Sequence, residues 1–262
     1  ACDGQSGCRT DCIWAPCAES EDGCPELDFV ALKGGGYNMG GLADRLSPHG
    51  LRADTLPVHP VNVPDFELMR AEVTVAQYRA CVNAGGCDAP VCSRCNYNQN
   101  RTDHPVNFVS WINARQFATW VSARLPSESE WEFAAKSRGQ NITYPWGDAD
   151  PNCERLNFRG CDGDDGAGTS RVCTHQAGNS AQGVCDLAGN LWEWVEDDYH
   201  CSYNGAPNDG PAWVDNPRGS FRVARGGSWA EVAEFVRAAV RSGGVPSSAF
   251  DFFGFRLARS TR

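Results

Sequence analysis

The sequence predicts a single α+β domain that is irregular, poor in regular secondary structure and rich in disulfides. Its 28 glycines and 15 prolines among 262 residues favour turns and loops over long helices or strands. Fourteen cysteines, an even and high number for this length, indicate up to seven disulfides formed in an oxidising compartment. Nine tryptophans can bury large apolar areas, and no linker, charge run or internal repeat divides the chain.

Residues 1–26 are predicted to form a cysteine-rich N-terminal extension, and residues 27–262 to form the main domain. Five cysteines precede Pro25, in a segment with almost no hydrophobic periodicity, so only crosslinks could hold it in a defined shape. Because five is an odd number, at least one of these cysteines should pair with the main domain. A metal-binding knot is the alternative.

The first elements of the main domain should be strands and one helix. Leu27 to Met39 reads as a strand, a glycine turn and a second strand, and alternating apolar residues continue the strand pattern from His59 to Leu68. Thr74 has the features of a helix N-cap, with Gln77 three residues later, and this helix should stop before Gly85.

Two more helices are expected before the irregular half of the chain. One begins at Ser110, with apolar residues on one face. The other begins at Ser127, which forms a capping box with Glu130, and Gly139 marks where it stops. Residues 144–189 are rich in Asp, Asn and Gly and should be mostly irregular. Short strands follow, and the last is predicted over residues 253–257.

Clustered cysteines allow more than one interpretation. Cys92 and Cys95 form a CxxC pair, which suits a zinc half-site or a redox pair, but no second CxxC and no thioredoxin-like pattern accompanies it. Two local disulfides among Cys81, Cys87, Cys92 and Cys95 are therefore favoured. Disulfides among the four cysteines between residues 153 and 185, together with bound calcium, would organise the long irregular segment.

Four motifs carry a family resemblance. They are RLPSESEWE (residues 124–132), GNLWEW (189–194), RGGSW (225–229) and GFR (254–256). In this order, over about residues 29–259, they resemble the formylglycine-generating-enzyme, or sulfatase-modifying-factor, family. The resemblance implies a variant of the C-type lectin fold with little regular secondary structure. It implies less about function, because different sites are built on one fold.

The resemblance also specifies which catalytic residues to look for. The family's oxidases bind copper through two cysteines shortly after the RGGS motif, and copper(I) requires soft thiolate ligands. No cysteine follows Cys201, so we expect no copper and no formylglycine-generating activity. A second enzymatic branch holds iron with three histidines, and the five histidines here lack the close spacing of such a site. The chain is therefore predicted not to be an enzyme.

The resemblance implies two calcium sites. Calcium binds six to eight oxygens, and many of them can be backbone carbonyls. The first would use Asp186, the carbonyls of Gly189 and Leu191, and Glu193. The second would use Asn157, the Phe158 carbonyl, Asp165 and the Ala167 carbonyl. The alternative is that Asp186 and Glu193 cap turns through backbone amides.

The segment from Trp229 to Phe252 resembles the variable region of proteins diversified by retroelements. Aromatic and small residues at such positions are typical of a selected binding surface. The predicted binding residues are Val232, Phe235, Val240, Phe250, Asp251 and Phe252. The alternative is that these phenylalanines are buried in the core, as large apolar residues usually are.

These observations favour a non-catalytic, extracytoplasmic and bacterial binding or assembly protein. Its partner would be a protein or cell-surface ligand on the C-terminal face, or other subunits of an envelope complex. A net charge of -10 argues against nucleic acid, and no apolar run is long enough to span a bilayer. The alternatives are a formylglycine-generating-type oxidase or related enzyme with an altered active site, and a purely structural, disulfide-hardened protein of an envelope or extracellular layer.

Overall fold

A computed structural model describes residue 17 and residues 23–41, 53–161, 163 and 168–261. Within these ranges the chain forms nine short strands in three sheets and three α-helices. None of the helices described there is long and apolar enough to cross a membrane. Most of the predicted N-terminal extension lies outside the described residues.

Four strands form the N-terminal part of the fold. They are β1 (Phe29–Leu32), β2 (Gly35–Met39), β3 (His59–Val63) and β4 (Phe66–Met69). The first two form where the sequence predicts strands, but β1 pairs with β4 and β2 pairs with β3, all antiparallel. The single strand pattern predicted from His59 to Leu68 is therefore divided at Pro64 and Asp65 between two sheets.

Three helices begin at the predicted residues, because each has a complete capping box. They are α1 (Val75–Asn83), α2 (Trp111–Trp120) and α3 (Glu128–Ala135). In α3, for example, Ser127 Oγ accepts from the Glu130 amide at 3.1 Å, and Glu130 Oε2 accepts from the Ser127 amide at 2.9 Å. α3 ends four residues before Gly139, because Ser137 and Arg138 adopt positive φ angles of 47° and 64°.

The main sheet is formed by the C-terminal part of the chain. Its strands are β5 (Trp192–Asp198), β6 (Arg222–Arg225), β7 (Arg241–Gly244) and β8 (Phe253–Phe255), in the order β7-β6-β5-β8. The strand predicted over residues 253–257 breaks at Arg256, whose side chain is fully buried. The chain then crosses to the sheet of β1 and β4, which β9 (Ala258–Ser260) joins beside β4.

Two large apolar clusters lie between these elements. One joins α1 and α2 to the main sheet, and its buried rings include Tyr78, Phe117, Trp194, Phe253 and Phe255. The other joins α3 to β2, β3 and β4, and its buried rings include Tyr37, Phe66, Trp131 and Phe133. The main sheet contacts both clusters, so the residues of β5 are almost all buried.

Five disulfides are formed by described cysteines. They are Cys17–Cys24, Cys81–Cys87, Cys92–Cys95, Cys153–Cys161 and Cys173–Cys185. The two local disulfides and the disulfides of the irregular segment are thus confirmed, and the zinc alternative at Cys92 is wrong. Cys201 is free and exposed, so the upper limit of seven disulfides is not reached. Cys2, Cys8 and Cys12, on which the predicted link to the main domain depends, lie outside the described residues.

Candidate functional site

Charged side chains of the four sequence motifs form ion pairs in the interior. Arg256 of GFR donates from Nε and Nη2 to Glu193 of GNLWEW, at 2.6 and 2.7 Å. Arg225 of RGGSW pairs with Glu132 at the end of RLPSESEWE, and Arg241 donates to both oxygens of Glu128 in that motif. The guanidinium groups of all three arginines are fully buried.

Each buried arginine stays charged because its carboxylate partner outweighs the cost of burial. Burial alone would lower the pKa of Arg256, but Glu193 beside it raises that pKa above its ordinary value. Burial would likewise raise the pKa of Glu132, and the charges of Lys136 and Arg225 lower it instead. These motif residues therefore hold the fold together rather than face a ligand.

The two carboxylates of the first predicted calcium site already accept hydrogen bonds within the chain. Both oxygens of Glu193 accept hydrogen bonds, from Arg256 and from the Trp131 indole at 2.9 Å, and a metal ion there would face the like charge of Arg256. Asp186 is buried and accepts from the Cys173 amide at 2.6 Å. These contacts favour the turn-capping alternative for Asp186, while the calcium site at Glu193 stays a prediction.

The backbone conformation at Gly189 of the GNLWEW motif requires a glycine, whether or not calcium binds there. Gly189 has a φ of 77°, and a Cβ atom there would lie 2.2 Å from the Asn157 carbonyl oxygen. Leu191 is fully buried. In the part of the chain that the structure describes, no group of three or more His, Cys, Asp or Glu side chains is placed to hold a metal ion.

The second predicted calcium site fits better as far as it is described. Asn157 is buried, and its Nδ2 donates to the Gly168 carbonyl at 2.7 Å. Its Oδ1 atom has no hydrogen-bond donor among the described residues. The Phe158 carbonyl accepts from the Cys161 amide at 3.0 Å, while Asp165 and Ala167 lie outside the described residues. A buried oxygen without a donor is what a cation ligand offers.

Of the predicted binding residues, only Phe250 is well exposed, with 47% of its surface accessible. Its ring stacks on the half-buried ring of Phe252, with centroids 5.3 Å apart and planes 8° apart. Val232, Phe235 and Asp251 are half-buried, whereas Val240 is buried in the core cluster and cannot contact a partner. The prediction is wrong for Val240, because the chain packs this side chain into the core cluster of α1, α2 and the main sheet just before β7 begins.

Trp192 connects the two ends of the predicted face. Its backbone amide donates to the Phe252 carbonyl at 2.9 Å. Its indole nitrogen lies 3.3 Å from a carboxylate oxygen of Glu231, the residue before Val232. The segment after RGGSW, where the family's oxidases have their cysteines, thus contributes a carboxylate and a short 3-10 turn, Ala233–Phe235, at this position.

Three further apolar side chains are exposed on residues 245–250 or on segments whose backbones pair with that part of the chain. Ile112 is 52% exposed, Phe221 47% and Val245 43%. The Ile112 amide lies 3.3 Å from the Pro246 carbonyl, and the Arg222–Gly244 pair places Phe221 and Val245 at neighbouring strand ends. We call Ile112, Phe221, Val245 and Phe250 the exposed apolar patch. Ile112 could have been recognised from sequence, since it lies off the apolar stripe of α2.

The described histidine side chains each contact different residues. His104 Nδ1 lies 2.9 Å from Thr169 Oγ1, His175 Nε2 lies 3.2 Å from Ser170 Oγ, and His200 Nε2 lies 3.1 Å from Asp215. His200 also stacks on the Trp213 ring at 3.6 Å. These contacts bring no three histidines of the described chain to one point.

Comparison with known proteins assigns the fold. Residues 17–261 match the profile of the sulfatase-modifying factor enzyme 1-like domain. The chain belongs to this family. Its structure resembles PvdO from Pseudomonas aeruginosa, with a TM-score of 0.77 and 29% identity over 95% of this chain and 98% of that one. It also resembles Treponema denticola variable protein 1, at a TM-score of 0.68, 20% identity and coverages of 89% and 95%.

Sequence relatives in the family differ in activity. A hercynine oxygenase of Mycolicibacterium thermoresistibile is 33% identical over 237 residues, which are 77% of this chain and 52% of that protein. An inactive C-alpha-formylglycine-generating enzyme 2 of Bos taurus is 36% identical over 171 residues, 61% of this chain and 52% of that protein. The chain thus spans about half the length of these relatives. Membership in the family confirms the predicted irregular, lectin-like fold and is compatible with both enzymes and inactive proteins.

Proposed function

We propose that this chain is a non-catalytic, extracytoplasmic binding or assembly protein, and that the exposed apolar patch receives a protein partner. The observation that carries the proposal is the patch itself, in which four large apolar side chains are each 43–52% exposed. Patches of this kind on soluble proteins commonly mark interaction sites. Stacked aromatic rings such as Phe250 and Phe252 are typical anchors at interfaces.

The patch is supported from beneath by a rigid core. Phe253 stacks on Trp194 with centroids 4.3 Å apart, and Phe253 also contacts the rings of Phe250 and Phe252. The Phe250 carbonyl accepts from the Phe108 amide at 3.0 Å. A preorganised aromatic surface loses little conformational entropy on binding, which favours affinity.

Sequence and comparison support the non-catalytic part of the proposal. No cysteine follows Cys201, so the thiolates that the family's oxidases use after RGGSW have no counterpart. The inactive relatives support the existence of non-catalytic members in this family. The hercynine oxygenase relatives favour the alternative, an enzyme with an altered site. Copper-dependent oxidation of a cysteine in a sulfatase-motif peptide, above a heat-denatured control, would decide for that alternative.

An extracytoplasmic location is part of the same proposal. Two of the five disulfides of the described chain lie in the irregular segment, residues 144–189. This segment has little regular secondary structure. Such bonds form and persist in oxidising compartments. Calcium bound at Asn157, through an Oδ1 atom that has no donor among the described residues, would further order this segment.

Binding through the patch can be tested with one substitution and a matched control. Phe250→Asp should abolish capture of partners from the envelope fraction of the source organism, and any self-association measured by sedimentation. Val214→Asp is the control, because Val214 is 45% exposed and lies outside the patch. If Phe250→Asp and Val214→Asp retain the same partners and the same association state, the patch is not the binding surface.

A further inference from the structure

The main sheet ends in two edge strands, β8 and β7, and they differ in what covers them. On the β8 side, the Phe255 carbonyl accepts from the Val73 amide at 2.9 Å. On the β7 side, Ser242, Gly243 and Gly244 make no backbone hydrogen bond in the described chain apart from those of the ladder with β6. Alternate residues of an edge strand point their N–H and C=O groups away from the sheet. β7 therefore presents backbone groups with which another strand can pair.

The two glycines of β7 leave the edge as the accessible side of this strand. A Cβ atom at Gly243 would lie 2.8 Å from the Tyr199 ring, and one at Gly244 would lie 2.4 Å from the Trp194 ring. Successive residues of a strand face opposite sides of its sheet, so the two rings cover both sides of β7. Gly243 is nevertheless exposed, and a glycine has only backbone to expose. The accessible part of β7 is thus its unpaired backbone.

The edge is uncharged although the chain has a net charge of -10. Residues 242–250 carry no charged side chain. Arg241, at the start of β7, is buried and pairs with Glu128, so its charge does not reach the surface. Exposed lysines, which commonly keep edge strands apart, are absent from β7. A second, identical edge can therefore approach this one without repulsion between charges on the two strands.

The exposed apolar patch begins where β7 ends. Val245 is the next residue of the chain, and Phe221 precedes Arg222, which pairs with Gly244. These two apolar side chains are 43% and 47% exposed. A strand that pairs with β7 also reaches them, and their burial adds to the backbone hydrogen bonds.

We infer that β7 pairs antiparallel with β7 of a second copy of this chain, which joins the two main sheets across a two-fold axis. An antiparallel pair of identical strands is self-complementary, because the outward N–H and C=O groups of each strand meet those of the other. The small residues Ser242, Gly243 and Gly244 let the two backbones approach closely. The inference rests on the proposed function, since it identifies the protein partner of the exposed apolar patch as a second copy of the chain.

Sedimentation equilibrium and amide hydrogen exchange test this pairing. The paired surface is small, so the chain should dimerise with a Kd between about 1 µM and about 1 mM. Exchange of at least one amide of residues 242–244 should be about fivefold slower, or more, in a concentrated sample than in a dilute one, because pairing protects the outward amides. A chain that stays monomeric up to about 1 mM would overturn the inference. Dimers in which these amides exchange as fast as in the dilute sample would overturn it as well.

A charge placed on the edge distinguishes β7 from other surfaces. Ser242→Lys should raise the Kd of the dimer at least about tenfold, because two lysines then lie close to the two-fold axis. Ser260→Lys is the control, because Ser260 is an exposed serine of β9, an edge strand of another sheet. The outer side of β9 is already occupied, since Ala258 forms a bridge with Arg124. Equal Kd values for the two variants, with both folded by circular dichroism, would refute the assignment to β7.

The outcomes separate this inference from the proposed function. If the unaltered chain is monomeric and Phe250→Asp loses an envelope partner that Val214→Asp retains, the patch binds a different protein and only the β7 pairing is wrong. If the unaltered chain dimerises with protected β7 amides and Phe250→Asp dimerises equally well, the pairing stands and the role of the patch is wrong.

Discussion

The interior and the exposed apolar patch of this domain differ in what each contains. Arg225, Arg241 and Arg256 are fully buried, and each pairs with a buried glutamate. Ile112 and Phe250, by contrast, are about half exposed on the surface. Some charged groups thus lie inside and some large apolar groups lie outside, each against the usual tendency of its residue type.

The difference separates residues that maintain the fold from residues that are free to serve binding. A buried charge is tolerated only while its partner is present, so every member of an interior pair is constrained. An exposed apolar side chain has few contacts to lose, so it can change without unfolding the domain. The two regions should therefore respond oppositely to substitution: stability should depend on the first and binding on the second.

The largest effect is expected at Glu193. Glu193→Ala leaves the Arg256 guanidinium buried without its partner, so the free energy of unfolding should fall by about 3–5 kcal/mol. Urea denaturation followed by tryptophan fluorescence measures the loss. Glu67→Ala is the control, because the Arg259–Glu67 pair is partly exposed and should contribute at most about 1 kcal/mol. Similar losses of unfolding free energy in both variants would show that burial of the ion pair does not determine how much stability its removal costs.

Calcium should have the next largest effect if it binds at Asn157. A ligand that binds only the folded state adds about 2.7 kcal/mol at a hundredfold excess over its Kd. The melting temperature should rise with calcium and fall with a chelator, and Asn157→Ala should remove this response. Asn179→Ala serves as the control, since its Oδ1 atom also lacks a donor among the described residues. A chelator that leaves the melting temperature of the unaltered chain unchanged would eliminate the site.

A pH-dependent effect, smaller than the preceding ones for each pH unit, is expected at Asp197. Burial, and secondarily the nearby charge of Glu128, raise the pKa of Asp197 to about 8. The folded chain then holds this proton more tightly than the unfolded chain, so stability falls as pH rises from about 4 to about 8. The contribution is roughly 1 kcal/mol per pH unit within that window.

Asp197→Asn should flatten the pH dependence, although it also disturbs one of the two backbone amides that Asp197 accepts from, at 2.6 and 2.7 Å. Denaturant midpoints measured at pH values across the window give the slope directly. Asp103→Asn, at an exposed position, should leave the slope of the unaltered chain in place. An equally steep slope in Asp197→Asn would assign the pH dependence to other groups.

The smallest effect on stability is expected in the patch. Phe250→Ala should change the free energy of unfolding by less than about 1 kcal/mol, because half of the ring is already exposed. Phe255→Ala, at a fully buried ring of the same core, should cost about 3–5 kcal/mol. Thermal denaturation of the two variants makes the comparison. A loss at Phe250 as large as that at Phe255 would place this ring in the core.

Local features of the sequence predicted much of the fold. The starts of α1, α2 and α3 were predictable because a capping box joins residues only three positions apart. The disulfides within the main domain were predictable as local because they join cysteines separated by 3–12 positions. The motif order further identified the family and its lectin-like architecture.

The functional surfaces were decided by contacts between distant residues. Glu193 accepts a hydrogen bond from Arg256, 63 positions away, and no local pattern shows this pair; the calcium site at Glu193 stays a prediction. Val240 and Phe250 look alike in sequence, but only the sheet packing determines that one is buried and the other exposed. Short-range hydrogen bonds can be read from spacing, whereas burial and charge pairing depend on which segments the whole fold brings together.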